Sequence, residues 1–203
     1  MNKNYFLRHF CNSKKEEKAF IVYDNMLRSW QSKMNLVSRK SYQEVWPRHF
    51  IDSAQIVKYI TPKNDITGIV DIGSGAGFPG LVVSLLGFEP VFLVESNKNK
   101  ANFLDAVVRE TGSSAVVFNE KIETAKLPEI DFVISRAFSS LKKLLDILDK
   151  KKLNNAKCIF PKGKSFKREL DETLKFWKMK VSVDQSETDS ESKILILEAF
   201  KRV

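Results

Sequence analysis

The sequence predicts a doubly wound α/β domain, a mostly parallel seven-stranded sheet with helices on both faces, preceded by a helical N-terminal extension. Three observations predict it. Five short, continuously apolar runs alternate with helix-like stretches from residue 68 onward, which is how parallel strands buried on both faces read. A glycine-rich turn follows the first of these runs directly. Two further β-prone runs lie close together after the last helix. The 203 residues suit one such domain, with an extension over 1–62 and a core over 63–203, and no linker or internal repeat divides the chain.

In the extension, Phe20, Tyr23, Leu27, Trp30 and Met34 recur at steps of three and four, giving one apolar helix face. A second helix is predicted from Ser41, with Glu44 completing a capping box, to a stop before Thr61-Pro62. The core strands are predicted at 68–72, 91–95, 115–118, 132–135 and 158–160. Helices are expected around 80–87, 97–111, 139–149 and 165–177. Lys180–Val183 and Ile194–Leu197, separated by an acidic turn, read as an antiparallel hairpin at the sheet edge.

The first strand runs into Asp71-Ile-Gly73-Ser-Gly75-Ala-Gly77-Phe-Pro79-Gly80. Alternate glycines after a buried strand permit a sharp turn and a close approach of backbone to ligand. The second strand ends in Glu95, where a carboxylate can accept both hydroxyls of an adenosine ribose. Counted from Gly75 the glycines match a dinucleotide pattern; counted from Asp71 they match the first motif of enzymes that use S-adenosylmethionine (SAM). The acid two residues before the first glycine favours SAM, and so does Pro79, which removes an amide that a pyrophosphate would use. The hairpin and the extension also suit the second reading better.

A hydrophobic content of 43% excludes a largely disordered chain. No apolar run approaches the ~18 residues of a membrane span, and the N-terminal residues lack the apolar core of a secretion signal, so a cytoplasmic location is expected. Cys11 and Cys158 are far apart and outside any metal-spaced cluster, so no metal is expected. The formal charge is +9, which suits a polyanionic partner. Residues 1–60 carry a net +6 and residues 142–180 a net +8, while 61–141 carry −3. Folded onto one side, the two basic blocks would form a single electrostatic footprint.

Several segments together are more specific than a generic cofactor loop. They are Met34–Ser38, Arg48-His49-Phe-Ile-Asp52-Ser53, the loop from Asp71 through Gly80, Leu93–Lys100, Ser135-Arg136-Ala137-Phe138 and Lys162-Gly163. With them the chain resembles, nearly end to end, the bacterial small-subunit ribosomal RNA guanine-N7 methyltransferases, the RsmG family, also called glucose-inhibited division protein B. Lys121-Ile122-Glu123 departs from the family's usual arginine, small residue and glutamate, and Asn99 interrupts a more basic run.

The resemblance implies a class I SAM-dependent methyltransferase with a Rossmann-like core, acting on guanine N7 at position 527, in the 530 loop of 16S rRNA. The substrate would be the rRNA or a small-subunit particle, met by a monomer. On the matching positions, the cofactor would lie over Gly73 and Phe78, with Asp71 and Gly75 beside it. Glu95 and Ser96 would meet the ribose, Ile122 and Glu123 the adenine, and Arg136 would stand near the transfer site.

Guanine N7 has a free lone pair, so alignment is the first requirement and no general base is expected. Enzymes that methylate exocyclic amines carry Asn/Asp-Pro-Pro-aromatic after the fourth strand; here Ser135–Phe138 stands instead. Phe138 could stack on an extruded base or belong to the core, and Arg136 could hold guanine O6, a phosphate or the cofactor carboxylate. Arg48, His49, Lys162, Lys164, Lys167 and Arg168 are the remaining candidates for RNA contact. A SAM enzyme for another acceptor, or an RNA-binding protein that kept the fold without catalysis, are the alternatives.

Overall fold

The computed structural model describes residues 1–60 and 67–203. The predicted helix stop at Thr61-Pro62 and the 62/63 boundary lie outside the described residues.

Helix α1 (Lys3–Phe10) is capped by Asn2 and α2 (Lys14–Gln31) by Ser13, whose side chain accepts from Glu16 N. The predicted apolar face of α2 is real: Phe20, Tyr23 and Leu27 are buried, and Trp30 and Met34 pack beside them. The second helix differs from expectation. Ser38, not Ser41, is the N-cap, and helix α3 is only Arg39–Gln43. Pro47 has no amide to return to the preceding turn, so the α-helix cannot run through it. The chain instead winds as a π turn (Trp46–Ile51), a short α4 (Asp52–Ala54) and a 3₁₀ turn (Gln55–Tyr59). The wider π turn keeps Trp46, Phe50 and Ile51 buried.

The core alternates strand and helix: β1 (Ile69–Ile72), α5 (Gly80–Leu85), β2 (Val91–Val94), α6 (Lys98–Thr111), β3 (Val116–Phe118), β4 (Phe132–Ile134), α7 (Leu141–Lys150), β5 (Lys157–Lys162), α8 (Phe166–Leu174), β6 (Trp177–Gln185) and β7 (Lys193–Arg202). The sheet order is β3-β2-β1-β4-β5-β7-β6; β1 to β5 pair in parallel, and β7 runs antiparallel to β5 and β6. The hairpin is longer than predicted: alternation begins at Trp177, which is buried, and a bulge at Lys180/Val181 lets the long pair twist.

Strand alternation divides the interior into two cores. Ile69, Leu93, Phe132, Ile134 and Ile196 face one core, which α1, α2, the Trp46–Tyr59 turns, α5 and α6 complete. Val70, Val94, Val133, Leu195 and Leu197 face the other, under α7, α8 and Trp177. The extension is thus part of the first core. Phe6, Phe20, Tyr23, Trp46, Phe50 and Phe78 form an aromatic cluster with neighbouring ring centroids 4.3–6.0 Å apart. Burial of each ring contributes on the order of 2–3 kcal/mol.

This division corrects the reading of the charge. The extension and the α7–α8 segment cover opposite faces of the sheet, so the two basic blocks do not share a face. They converge at the carboxyl edge of the strands, where Asp52 from one and Lys162 from the other line a common cavity.

Candidate functional site

The glycine turn sits at that edge. Gly73 and Gly75 have φ of 72° and 59°, a left-handed conformation that costs a side-chain-bearing residue energy. The amides of Gly73 and Ser74 donate to Val94 O, tying the turn to the end of β2. Asp71 was expected to meet the cofactor; its side chain is instead fully buried, and Oδ2 accepts from Gly80 N at 2.9 Å. It locks the far end of the turn, and burial pushes its carboxyl up to about 7. Gly77 answers to the extension. A Cβ there would stand 2.5 Å from the Tyr23 hydroxyl, which donates to Ala76 O. Burial holds that phenol well above its ordinary pKa, so it stays a donor.

Glu95 closes the other side. One carboxylate oxygen accepts from Gly75 N at 2.9 Å and the other from Asn97 N at 2.7 Å. A carboxylate has about four acceptor positions, so each oxygen keeps a lone pair for a ribose hydroxyl. Beyond it opens a cleft of about 470 Å³ lined by Gly73, Gly75, Glu95, Ser96, Ile122 and Glu123. Six sequence-predicted residues therefore meet in one place. Lys100 and Lys143 also line it; their spacing carries no signal that singles them out from other exposed lysines. The apolar wall of Ile72, Val94 and Ile122 beside an acid suits a nucleoside, and a Cβ on Gly75 would touch nothing nearer than 3.8 Å, so that position opens into the cleft. These residues fit SAM.

Phe78 is not in the cleft. Its ring is buried, stacked on Tyr23 at 5.4 Å with the Arg136 guanidinium 5.4 Å from its centroid. Phe138 takes the position over the turn: its ring lies where a Cβ on Gly73 would be, 2.3 Å from Cδ2. Ala137 between Arg136 and Phe138 has φ of 55°, and this left-handed residue sends the two side chains to different cavities.

Arg136 points away from the cleft into a buried cluster. Its Nη1 donates to Arg48 O and Asp52 Oδ2, both at 2.9 Å, and its Nη2 lies 2.6 Å from His49 Nδ1. Burial, then the charges of Arg136 and Arg48, push His49 down to about 3, so its Nδ1 accepts and the ring is neutral. His49, a candidate for RNA contact, therefore serves as a bracket for Arg136. Asp52 is the residue that sequence reasoning missed. Its second oxygen accepts from Gln55 and Thr188 at 2.8 and 2.9 Å, so it joins Arg136 to the β6–β7 loop. Its spacing of three and four from His49 and Arg48 was the available signal.

A second cavity, about 320 Å³, lies against the other side of the Arg136–Ala137 backbone; Asp52, Arg136, Ala137, Lys162 and Glu169 line it. Lys162 was expected on an open basic rim. It is instead largely buried and paired with Glu169 at 3.1 Å. Lys164, Lys167, Arg168 and Arg48 are exposed, as RNA contact requires.

A sheet of order β3-β2-β1-β4-β5-β7-β6 with a glycine turn and a terminal acid on β2 defines a class I SAM-dependent methyltransferase. Solved structures agree at the level of fold. A mutant of MtNAS in complex with S-adenosylmethionine aligns at a TM-score of 0.59 with 10% identity, over 98% of this chain and 84% of that one. A SAM dependent methyltransferase from Aquifex aeolicus aligns at 0.56 with 16% identity, over 76% and 91%. The sequence is more specific: the family model of rRNA small subunit methyltransferase G matches residues 16–195, and the chain belongs to that family. Ribosomal RNA small subunit methyltransferase G of Rhodospirillum centenum is 40% identical over 176 residues, 87% of this chain and 81% of that one. Its counterpart in Rickettsia bellii is 34% identical over 182 residues, 90% and 93%.

Proposed function

We propose that this protein transfers a methyl group from SAM to N7 of a guanosine in 16S rRNA, at position 527 in the 530 loop. Membership of the small-subunit methyltransferase family supports the RNA, and the chemistry of the site supports the atom. The carrying observation is that the cofactor cleft and the second cavity meet at Ala137, just past the carboxyl edge of β4, with Phe138 lining the first and Arg136 the second. A donor in the first and an acceptor in the second would meet across it.

When bound, SAM supplies a methyl group on a positively charged sulfur. The lone pair of N7 would form the new bond as the carbon–sulfur bond breaks, and the positive charge would pass to the purine. No proton leaves N7, which matches a site whose one histidine is neutral and committed to Arg136. Glu95 and Ser96 hold the ribose, Ile122 and Glu123 flank the adenine, and Gly73 and Gly75 allow backbone contact. Asp71 acts by fixing the turn, and Phe78 by supporting it. Arg136, with donors left after its bonds to Arg48, Asp52 and His49, faces the acceptor cavity and holds a phosphate. Phe138, a sequence candidate for stacking on the base, lies instead over the glycine turn on the cofactor side, while Arg48, Lys164, Lys167 and Arg168 contact the RNA backbone.

Mass mapping of 16S rRNA from cells lacking the protein tests the proposal. The N7-methylguanosine of the 530 loop should vanish and return on complementation; its persistence would overturn the assignment.

A further inference from the structure

Lys162, at the end of β5, and Glu169, in the first turn of α8, both line the second cavity. Lys162 Nζ donates to Ser139 O at 3.3 Å and to Glu169 Oε1 at 3.1 Å, which leaves one ammonium proton. Glu169 Oε1 also accepts from Leu141 N, and Oε2 takes no partner among the described residues. The pair thus presents one free donor beside one free acceptor. The other carboxylate of the cavity, Asp52, is already committed at both oxygens, to Arg136, Gln55 and Thr188.

Guanine matches this pattern: its Watson–Crick edge shows an acceptor, O6, beside two donors, N1–H and the 2-amino group; uracil shows O4 beside N3–H but has no N7 and no second donor. Adenine would set its amino group against Lys162 and its N1 lone pair against Glu169. A purine whose N7 faces the methyl donor turns its Watson–Crick edge away from the cofactor cleft, and Lys162 and Glu169 line the cavity beyond that cleft. We infer that Glu169 and Lys162 are the residues that read guanine in the acceptor cavity, Glu169 through N1–H and the 2-amino group and Lys162 through O6. This inference rests on the proposed transfer to guanine N7 and adds how the base is chosen.

The same contact assists the reaction. Positive charge developing on the purine makes N1–H more acidic, so its hydrogen bond to a carboxylate strengthens toward the transition state. Loss of the Glu169 charge therefore lowers kcat more than it raises KM. Its tether to Leu141 N survives in Glu169→Gln, which keeps an acceptor oxygen.

The test uses small subunits reconstituted with rRNA carrying guanosine, inosine or 2-aminopurine riboside at the target position. Inosine lacks only the 2-amino group, whereas 2-aminopurine lacks both O6 and the N1 proton; both keep N7. Wild-type enzyme should prefer guanosine to each by about 10- to 100-fold in kcat/KM, the range for one hydrogen bond to a charged group. Glu169→Gln should reduce the guanosine-to-inosine preference to within about threefold, and Lys162→Met, which removes the donor to O6, should lower the guanosine-to-2-aminopurine preference by about 10-fold while leaving the part set by N1–H. Equal wild-type rates on all three, or preferences unchanged in both variants while activity falls, would show a structural role and overturn the inference. The wild-type series decides the matter even where a variant does not fold. Absence of transfer to the guanosine subunit by wild-type enzyme would overturn the proposed reaction itself, and this inference with it.

Discussion

At Asp71 a single hydrogen bond to Gly80 N couples a fully buried carboxyl to the end of the glycine turn. Burial raises its pKa from 3.8 to about 7, so the folded state holds the proton more tightly than the unfolded chain. Its contribution to stability is complete below about pH 4 and is lost as the pH rises through 7. His49 runs the other way. Its pKa is pushed down from 6.5 to about 3, so its contribution is lost as the pH falls from 6.5 toward 3. The two slopes oppose each other over the same window, and only the difference between wild type and Asp71→Asn isolates the first. Between pH 5 and pH 8 the variant should gain about 2–3 kcal/mol relative to wild type in urea unfolding; a constant difference would show that the carboxyl is not buried as described.

The glycine turn and α2 work as one unit. Tyr23 caps Ala76 O from below, and Gly77 leaves room for it. Gly77→Ala brings a Cβ against the phenol at a φ of 94° and should cost about 2–4 kcal/mol in thermal or urea unfolding, with a loss of SAM affinity by calorimetry. Adding Tyr23→Phe should recover part of that stability by removing the clashing oxygen; no recovery would mean that the left-handed backbone alone sets the cost. Sequence periodicity located α2 because its apolar face keeps a regular step. It did not locate the π turn at Trp46–Ile51, because one inserted residue changes which side chains share a face without changing their apolar character. The hairpin was found but drawn short, since edge positions such as Lys178 and Lys180 are polar on the exposed side of β6.

In the whole molecule, charge is organised by the sheet. The two basic segments lie on opposite faces and meet over the carboxyl edge, so an RNA that contacted both would have to cross that edge above the two cavities. Affinity for a single-stranded rRNA fragment should fall steeply with salt. Replacing Lys164, Lys167 and Arg168 together with glutamine should reduce the log–log slope by about 2, with little change in stability. An unchanged slope in a filter-binding or anisotropy titration would remove the start of α8 from the RNA path.

The sequence alone determined the doubly wound order, the glycine turn, and most of the cleft beside it: Gly73, Gly75, Glu95, Ser96, Ile122 and Glu123. These lie at strand ends, where local pattern and topology fix position. Tertiary structure decided the partners of Asp71, Phe78, His49, Asp52, Lys162 and Glu169. Each is defined by a partner remote in the chain or by burial: Arg136 lies 84 residues from Asp52, and Asp71 Oδ2 is claimed by the backbone of Gly80. Whether a polar side chain faces ligand or anchors the protein depends on which groups remain unpaired after folding, and that accounting is not local.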